Sequence, residues 1–201
     1  MAYSNFTLPA ARAAFELEEV DTAGLFSDIE PVAPSELLTS ILDRKIPLAT
    51  AIGTEKAKSE MIVADVLVEL REQLDHRISL FSGIDFNVDD ELGLTGVCGF
   101  LVSLSPIQFD LQAPIIVLVE AKNDNLEIGL GQCVAEMVAA QHFNVEHGND
   151  IPRVYGATTS GTEWRFLKLE GKKLDIDMLP YPIESCDTVL GILASMVAQK
   201  A

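Results

Sequence analysis

The sequence predicts a mixed α/β fold, with one sheet flanked by helices. Three observations carry that expectation. Ile62, Val63, Val66, Leu67, Leu70 and Leu74 recur at helical spacing and make one apolar stripe. Two apolar runs, Gly96 to Leu104 and Pro114 to Ala121, stand either side of the turn-rich stretch Ser105 to Ala113 and read as a long-looped hairpin. Two more strand-like runs, Val154 to Thr159 and Trp164 to Leu169, flank Ser160-Gly161-Thr162, whose composition marks a turn. One sheet with helices laid on it is the arrangement that buries both patterns.

Taken in order, Leu8 to Leu17 is a short helix, followed by a loop through Asp28 and Pro31. Ser35, with Pro34 just ahead of it, is placed to cap a helix over Glu36 to Asp43. Thr54 or Ser59 opens the next helix, which runs to about Leu74, and Ile78 to Phe86 is extended. After the hairpin, Asn125 or Asn123 caps a helix over about Glu127 to Phe143, in which Ala135, Ala139 and Ala140 permit close approach to the sheet. Leu174 to Met178 adds an edge strand after Gly171, and the last helix covers Cys186 to Gln199. Trp164 is expected in the core, with His76, His142 and His147 on the surface. No repeat, low-complexity tract or linker interrupts the series, so the 201 residues read as one domain. Within it, 1–50 is an N-terminal helical extension, 51–170 a core, and 171–201 a C-terminal strand and helix.

Composition narrows the function classes. Hydrophobic residues make up 48% and aromatics 6%, as in an ordinary globule. No apolar run approaches the roughly 18 residues that span a bilayer, and the N-terminus has no basic segment leading into an apolar one. The three cysteines, Cys98, Cys133 and Cys186, lie far apart without zinc-ligand spacing, which fits a cytoplasmic setting with buried thiols. The 14 basic residues face 31 acidic ones, a net charge of −17. Duplex binding gains affinity by neutralising phosphates with Lys and Arg, so this balance disfavours a nucleic-acid partner and leaves a protein or a second copy of the chain.

The chemistry centres on Glu120-Ala121-Lys122. It ends the strand Ile115-Ile116-Val117-Leu118-Val119, and residues two apart on a strand share a face. A carboxylate and an ammonium so placed can hold a divalent metal and polarise a water or phosphate beside it. The strand leads directly into a helix carrying Gln132, with Glu136 one turn later on the same face. In the preceding helix Glu60 lies within about 20° of Leu67 at 100° per residue, whereas Glu69 lies about 160° away. That phase turns Glu60 toward the sheet.

Ser59-Glu60, Leu94-Thr95-Gly96-Val97-Cys98-Gly99-Phe100-Leu101, Val119-Glu120-Ala121-Lys122-Asn123, Gly131-Gln132-Cys133, and Tyr155-Gly156 through Thr162 to Trp164-Arg165-Phe166 together resemble the PD-(D/E)xK nuclease superfamily, in particular its stand-alone members. The resemblance implies a restriction-endonuclease-like core and Mg²⁺-dependent hydrolysis of nucleic-acid phosphodiesters. In that scheme Glu120 is a metal ligand, and Lys122 orients the attacking water and stabilises charge. Glu60 is the acid of the first helix and a second metal ligand, and Gln132 supports the site from the second helix.

One position departs from that family, which places an Asp where this chain has Gly99. A hairpin centred between Phe109 and Asp110 sets Gly99 across from Glu120, where a second carboxylate would have to stand to share a metal. Asp110 sits at the hairpin tip, on the order of 30 Å away at about 3.3 Å per residue. Asp85, Asp89 and Asp90 on the preceding strand and loop are the remaining substitutes. Losing one of two charged ligands weakens Mg²⁺ binding, so the leading expectation is a degenerate nuclease-fold protein with weak or no cleavage. An active Mg²⁺-dependent nuclease acting on DNA and an unrelated α/β binding module are the alternatives.

Overall fold

The computed structural model describes residues 2–122, 125–149 and 151–198. Within these, the strands are β1 (Glu18–Thr22), β2 (Ser79–Asp85), β3 (Val97–Ser103), β4 (Ile115–Ala121), β5 (Arg153–Thr159), β6 (Glu163–Glu170), β7 (Lys173–Asp177) and the short β8 (Tyr181–Pro182). The helices are α1 (Leu8–Phe15), α2 (Glu36–Ile52), α3 (Glu55–Lys58), α4 (Ala64–Gln73), α5 (Leu126–Glu146) and α6 (Cys186–Val197). All eight strands join one mixed sheet in the order β1-β7-β6-β5-β4-β3-β2, with β8 paired to β6. The β1/β7 and β4/β5 pairs are parallel, and the others antiparallel. Among the described residues no helix is long and apolar enough to cross a membrane.

The sheet separates two cores. On one face Val117, Val119, Trp164 and Phe166 pack beneath Ile62, Val66 and Leu70 of the α3–α4 region and Leu190 and Leu193 of α6. On the other, Leu118, Leu167 and Ile176 pack beneath Cys133, Val134 and Met137 of α5, with Tyr3 and Phe6 above. β4 is central and buried along its whole length, so its sequence is a continuous apolar run rather than an alternation.

Several expected elements form where the sequence placed them, and the differences have physical reasons. Ser35 caps α2 and Thr54 caps α3 through their side-chain oxygens. The helix expected to stop at Asp43 continues past Pro47 to Ile52 and ends on Gly53, whose φ of 70° suits a residue without Cβ. Between α3 and α4 the helix widens into a π-turn over Ser59–Val63. The stretch 1–50 is not only helical, because its polar segment Glu18–Thr22 forms β1 and lies outside β7. Leu174 to Met178 therefore does not form the sheet edge. Asn125 caps α5 by accepting from the Glu127 amide at 2.9 Å. Asn123, the other cap candidate, and Gln199, the expected end of α6, lie outside the described residues.

Candidate functional site

The register of the hairpin fixes the site. Phe100 pairs with Val119, Leu101 with Leu118 and Val102 with Val117, which carries Gly99 to the level of Glu120 as the hairpin reasoning required. The side chains of β3 cease to alternate here. Cys98 packs in the α5 layer together with Leu101, while Phe100 packs in the opposite layer. Glycine at 99 has a steric reason: a β-carbon there would stand 2.8 Å from the Val119 carbonyl oxygen and 3.2 Å from Glu120 Oε1. The space a side chain would fill is taken by the Glu120 carboxylate, and the Gly99 N–H donates to Glu120 Oε1 at 2.9 Å.

From Glu120 a polar chain runs across to α5. Lys122 Nζ donates to Glu120 Oε2 at 3.2 Å and to Gln132 Oε1 at 3.1 Å. Gln132 Nε2 donates onward to Glu136 Oε1 at 3.0 Å. Gly129 opens the path for the lysine stem, since a β-carbon there would lie 2.8 Å from Lys122 Cγ. Glu120 and Glu136 are both buried, Glu136 completely, and their carboxyl groups come within hydrogen-bonding reach of each other. Burial first, and then the Glu120 charge, holds the Glu136 carboxyl well above the usual carboxylate range. Glu136 Oε2 has no hydrogen-bond partner, and neither has the buried hydroxyl of Thr158, the β5 residue in register with Glu120.

Cys98 and Cys133 line the same interior. Burial, followed by the Glu136 charge, pushes both thiols up, so they remain protonated and do not act as nucleophiles. α5 is enclosed on both sides, by the sheet and by the N-terminal segment that carries Tyr3, Phe6 and Ala11. That is why its small and apolar residues do not keep to one stripe. At Gly131 the chain crosses so closely that a β-carbon would lie 2.3 Å from the Phe6 carbonyl oxygen. Tyr3 fixes the crossing through its amide, 2.9 Å from Thr95 O, and its hydroxyl, 2.7 Å from Phe86 O.

Glu120, Lys122 and Gln132 are thus brought together, and Glu60 is not. Glu60 is exposed and paired with Lys56 at 2.6 Å, and its neighbours Ile62 and Val63 belong to the layer on the other face of the sheet. The π-turn is the reason: its i→i+5 bonding rotates the residues before it relative to those after, so a phase counted at 100° per residue from Leu67 fails at Glu60. The buried acid of this region is Glu69. It accepts from the Ser35 amide and hydroxyl, each at 2.8 Å, and from Gln73 at 2.8 Å. α4 is covered on two sides, so a residue opposite its sheet-facing stripe is buried as well. Asp85 and Asp90 are exposed, and Asp89 closes its own turn onto the Leu92 amide.

Glu60 and Glu120 therefore do not form the Mg²⁺ site that the resemblance implies. Among the described residues, no three His, Cys, Asp or Glu side chains are grouped to hold a metal ion. A cavity of about 670 Å³ lies beside the start of α5, lined in part by Thr7, Glu19, Glu127 and Arg165, but Glu120, Lys122, Gln132 and Glu136 are not among its walls. The partnership of Glu136 with Glu120 is the feature that sequence reasoning missed. Its available signal was Gly129, whose missing β-carbon leaves room for Lys122 and Thr158 on the sheet side of α5.

No family model matches the chain, and no curated protein matches it.

Proposed function

We propose that this is a nuclease-fold protein of the restriction-endonuclease-like, PD-(D/E)xK kind whose hydrolytic centre does not operate, the fold being kept to hold a protein partner or a second copy of the chain. One observation carries the reading: Glu120 spends both carboxylate oxygens inside the protein, one on the Gly99 amide and one on Lys122. In an operating centre of that kind the carboxylate faces the metal and the lysine faces the water. Here glycine stands in the place of the partner acid, and Lys122 is shared between Glu120 and Gln132.

The charge distribution supports the same reading. Lys45, Lys56, Arg153, Lys168 and Lys173 are each held by a carboxylate of the chain, which lowers what they can offer to phosphate. Purified protein incubated with plasmid, single-stranded DNA and RNA in Mg²⁺ or Mn²⁺ is expected to show no cleavage above buffer. Cleavage that Lys122→Ala abolishes overturns the reading.

A second reading, an active Mg²⁺-dependent nuclease, draws support from Glu136, which brings a second carboxylate to Glu120 from the helix instead of from β3. On that reading Glu136→Gln removes the cleavage as completely as Lys122→Ala does.

A further inference from the structure

The cavity of about 670 Å³ beside the start of α5 has the size of a small-ligand pocket, and one of its walls carries a charge without a partner. Arg165 is half-buried on β6. Its neighbours Trp164 and Phe166 pack in the layer opposite α5, so strand alternation turns Arg165 to the α5 side, where it borders the cavity. Arg165 Nε is closed off from solvent and has no hydrogen-bond partner. No carboxylate among the described residues pairs with this guanidinium, although the chain has 31 acidic residues against 14 basic ones. A buried N–H without an acceptor calls for a missing one.

Acids stand in the same walls without reaching it. Glu19 is held by Arg12 at 3.1 Å. Asp21 on β1 and Glu127 in the first turn of α5 are exposed and also border the cavity. Charges of opposite sign thus face one space and do not meet across it. Ile128 and Met178 add an apolar wall, and they are 71% and 56% exposed, so covering them is favourable.

These features select a ligand by elimination. A neutral molecule leaves the guanidinium charge unmet, and a simple cation meets a like charge there. A phosphate dianion meets Asp21 and Glu127 in a chain of net charge −17. A molecule with one carboxylate, one ammonium and an apolar body satisfies every wall. We propose that this cavity binds a small zwitterion of the amino-acid or dipeptide class with apolar side chains. Arg165 takes its carboxylate, since the flat guanidinium fork pairs with a carboxylate through two N–H bonds. Asp21 and Glu127 take its ammonium, and Ile128 and Met178 cover its body. Glu120, Lys122, Gln132 and Glu136 are not among the walls, so the inference goes beyond the nuclease-fold reading and does not rest on it.

The test is isothermal titration calorimetry of the full chain with L-leucine, L-phenylalanine and the dipeptide Leu-Leu. The expected dissociation constant for Leu-Leu is about 1 mM or tighter. N-acetyl-Leu-Leu, which lacks the ammonium, and Leu-Leu amide, which lacks the carboxylate, are each expected to bind at least about tenfold more weakly. Arg165→Gln is expected to lose the binding. If that variant does not fold, Asp21→Asn with Glu127→Gln, both at exposed positions, makes the same comparison and is expected to weaken it. Wild-type protein that binds none of the three probes overturns the proposal, and so does binding that these substitutions leave unchanged. Inorganic phosphate is titrated in parallel. Phosphate bound as tightly as Leu-Leu makes this a simple anion site and overturns the zwitterion.

Discussion

Replacing Gly131 with Ala sets two opposed effects against each other. Alanine in a helix interior is worth about 0.5–1 kcal/mol over glycine. Against that gain, a β-carbon at 131 would lie 2.3 Å from Phe6 O, 2.3 Å from Thr7 C and 2.6 Å from Leu8 N. All three atoms are backbone, so no rotamer change relieves the overlap. If the neighbours shift and stay docked, overpacking costs about 1–3 kcal/mol. If the N-terminal segment lifts, Phe6 and Tyr3 lose burial worth about 2 kcal/mol each, and the Tyr3 hydroxyl loses its bond to Phe86 O, about 1 kcal/mol more. At central values the clash outweighs the helix gain by about 1 kcal/mol if the segment stays docked and by about 4 kcal/mol if it lifts. Urea unfolding followed through Trp164, the one tryptophan of the chain and fully buried, measures the loss. Trypsin cleavage at Arg12 reports whether the segment has lifted. A Gly131→Ala protein as stable as wild type and equally resistant at Arg12 refutes the close crossing.

Gly99→Asp, which restores the acid of the resembled family, is expected to destabilise by about 1–3 kcal/mol in urea through its contact with the Val119 carbonyl and to bring no cleavage; a stable variant that cuts DNA contradicts this. Glu69→Ala removes an acceptor shared by Ser35 and Gln73 and is expected to cost about 2–3 kcal/mol. A double-mutant cycle with Ser35→Ala should then show coupling, and strict additivity rejects the Ser35–Glu69 contact. Burial first, then Asp187 and Glu69, pushes the Cys186 thiol up to about 11. Since the thiolate is the form that reacts, native Cys186 should resist iodoacetamide at pH 8 and react faster as the pH approaches that value, whereas the unfolded chain reacts readily at pH 8. Fast native alkylation at pH 8 speaks against that burial.

The parts of the fold that were legible in the sequence are those with strong local signals. The apolar runs of β3 and β4, the Ser35, Thr54 and Asn125 caps and the length of β4 are all local in origin, and even the level of Gly99 against Glu120 follows from where the hairpin turns. β1 was not legible because Glu18-Glu19-Val20-Asp21-Thr22 has no strand composition. Its place comes from backbone pairing with β7, more than 150 residues later. Glu60 was misplaced because a π-turn has no composition signature and breaks the periodicity on which the reading depended. Of the site, the bond from Lys122 to Glu120 follows from their spacing on one strand, and the i, i+4 spacing of Gln132 and Glu136 puts them on one helix face. How deeply α5 sinks was hidden, because that depends on a segment from the other end of the chain lying across it.

That crossing has a consequence for how the protein is made. The segment bearing Tyr3 and Phe6 leaves the ribosome well before the surfaces it covers, which are Thr95 and Gly96 of the turn before β3 and Gly131 of α5. Through most of synthesis its aromatic rings have no place to bury, and the α5 layer stays open until the chain folds back across some 90 to 125 residues. Closing a loop of that length costs only a few kcal/mol of entropy, but such distant contacts form slowly and leave apolar surface exposed meanwhile. A segment synthesised ahead of the sheet and α5 is therefore among the last to dock.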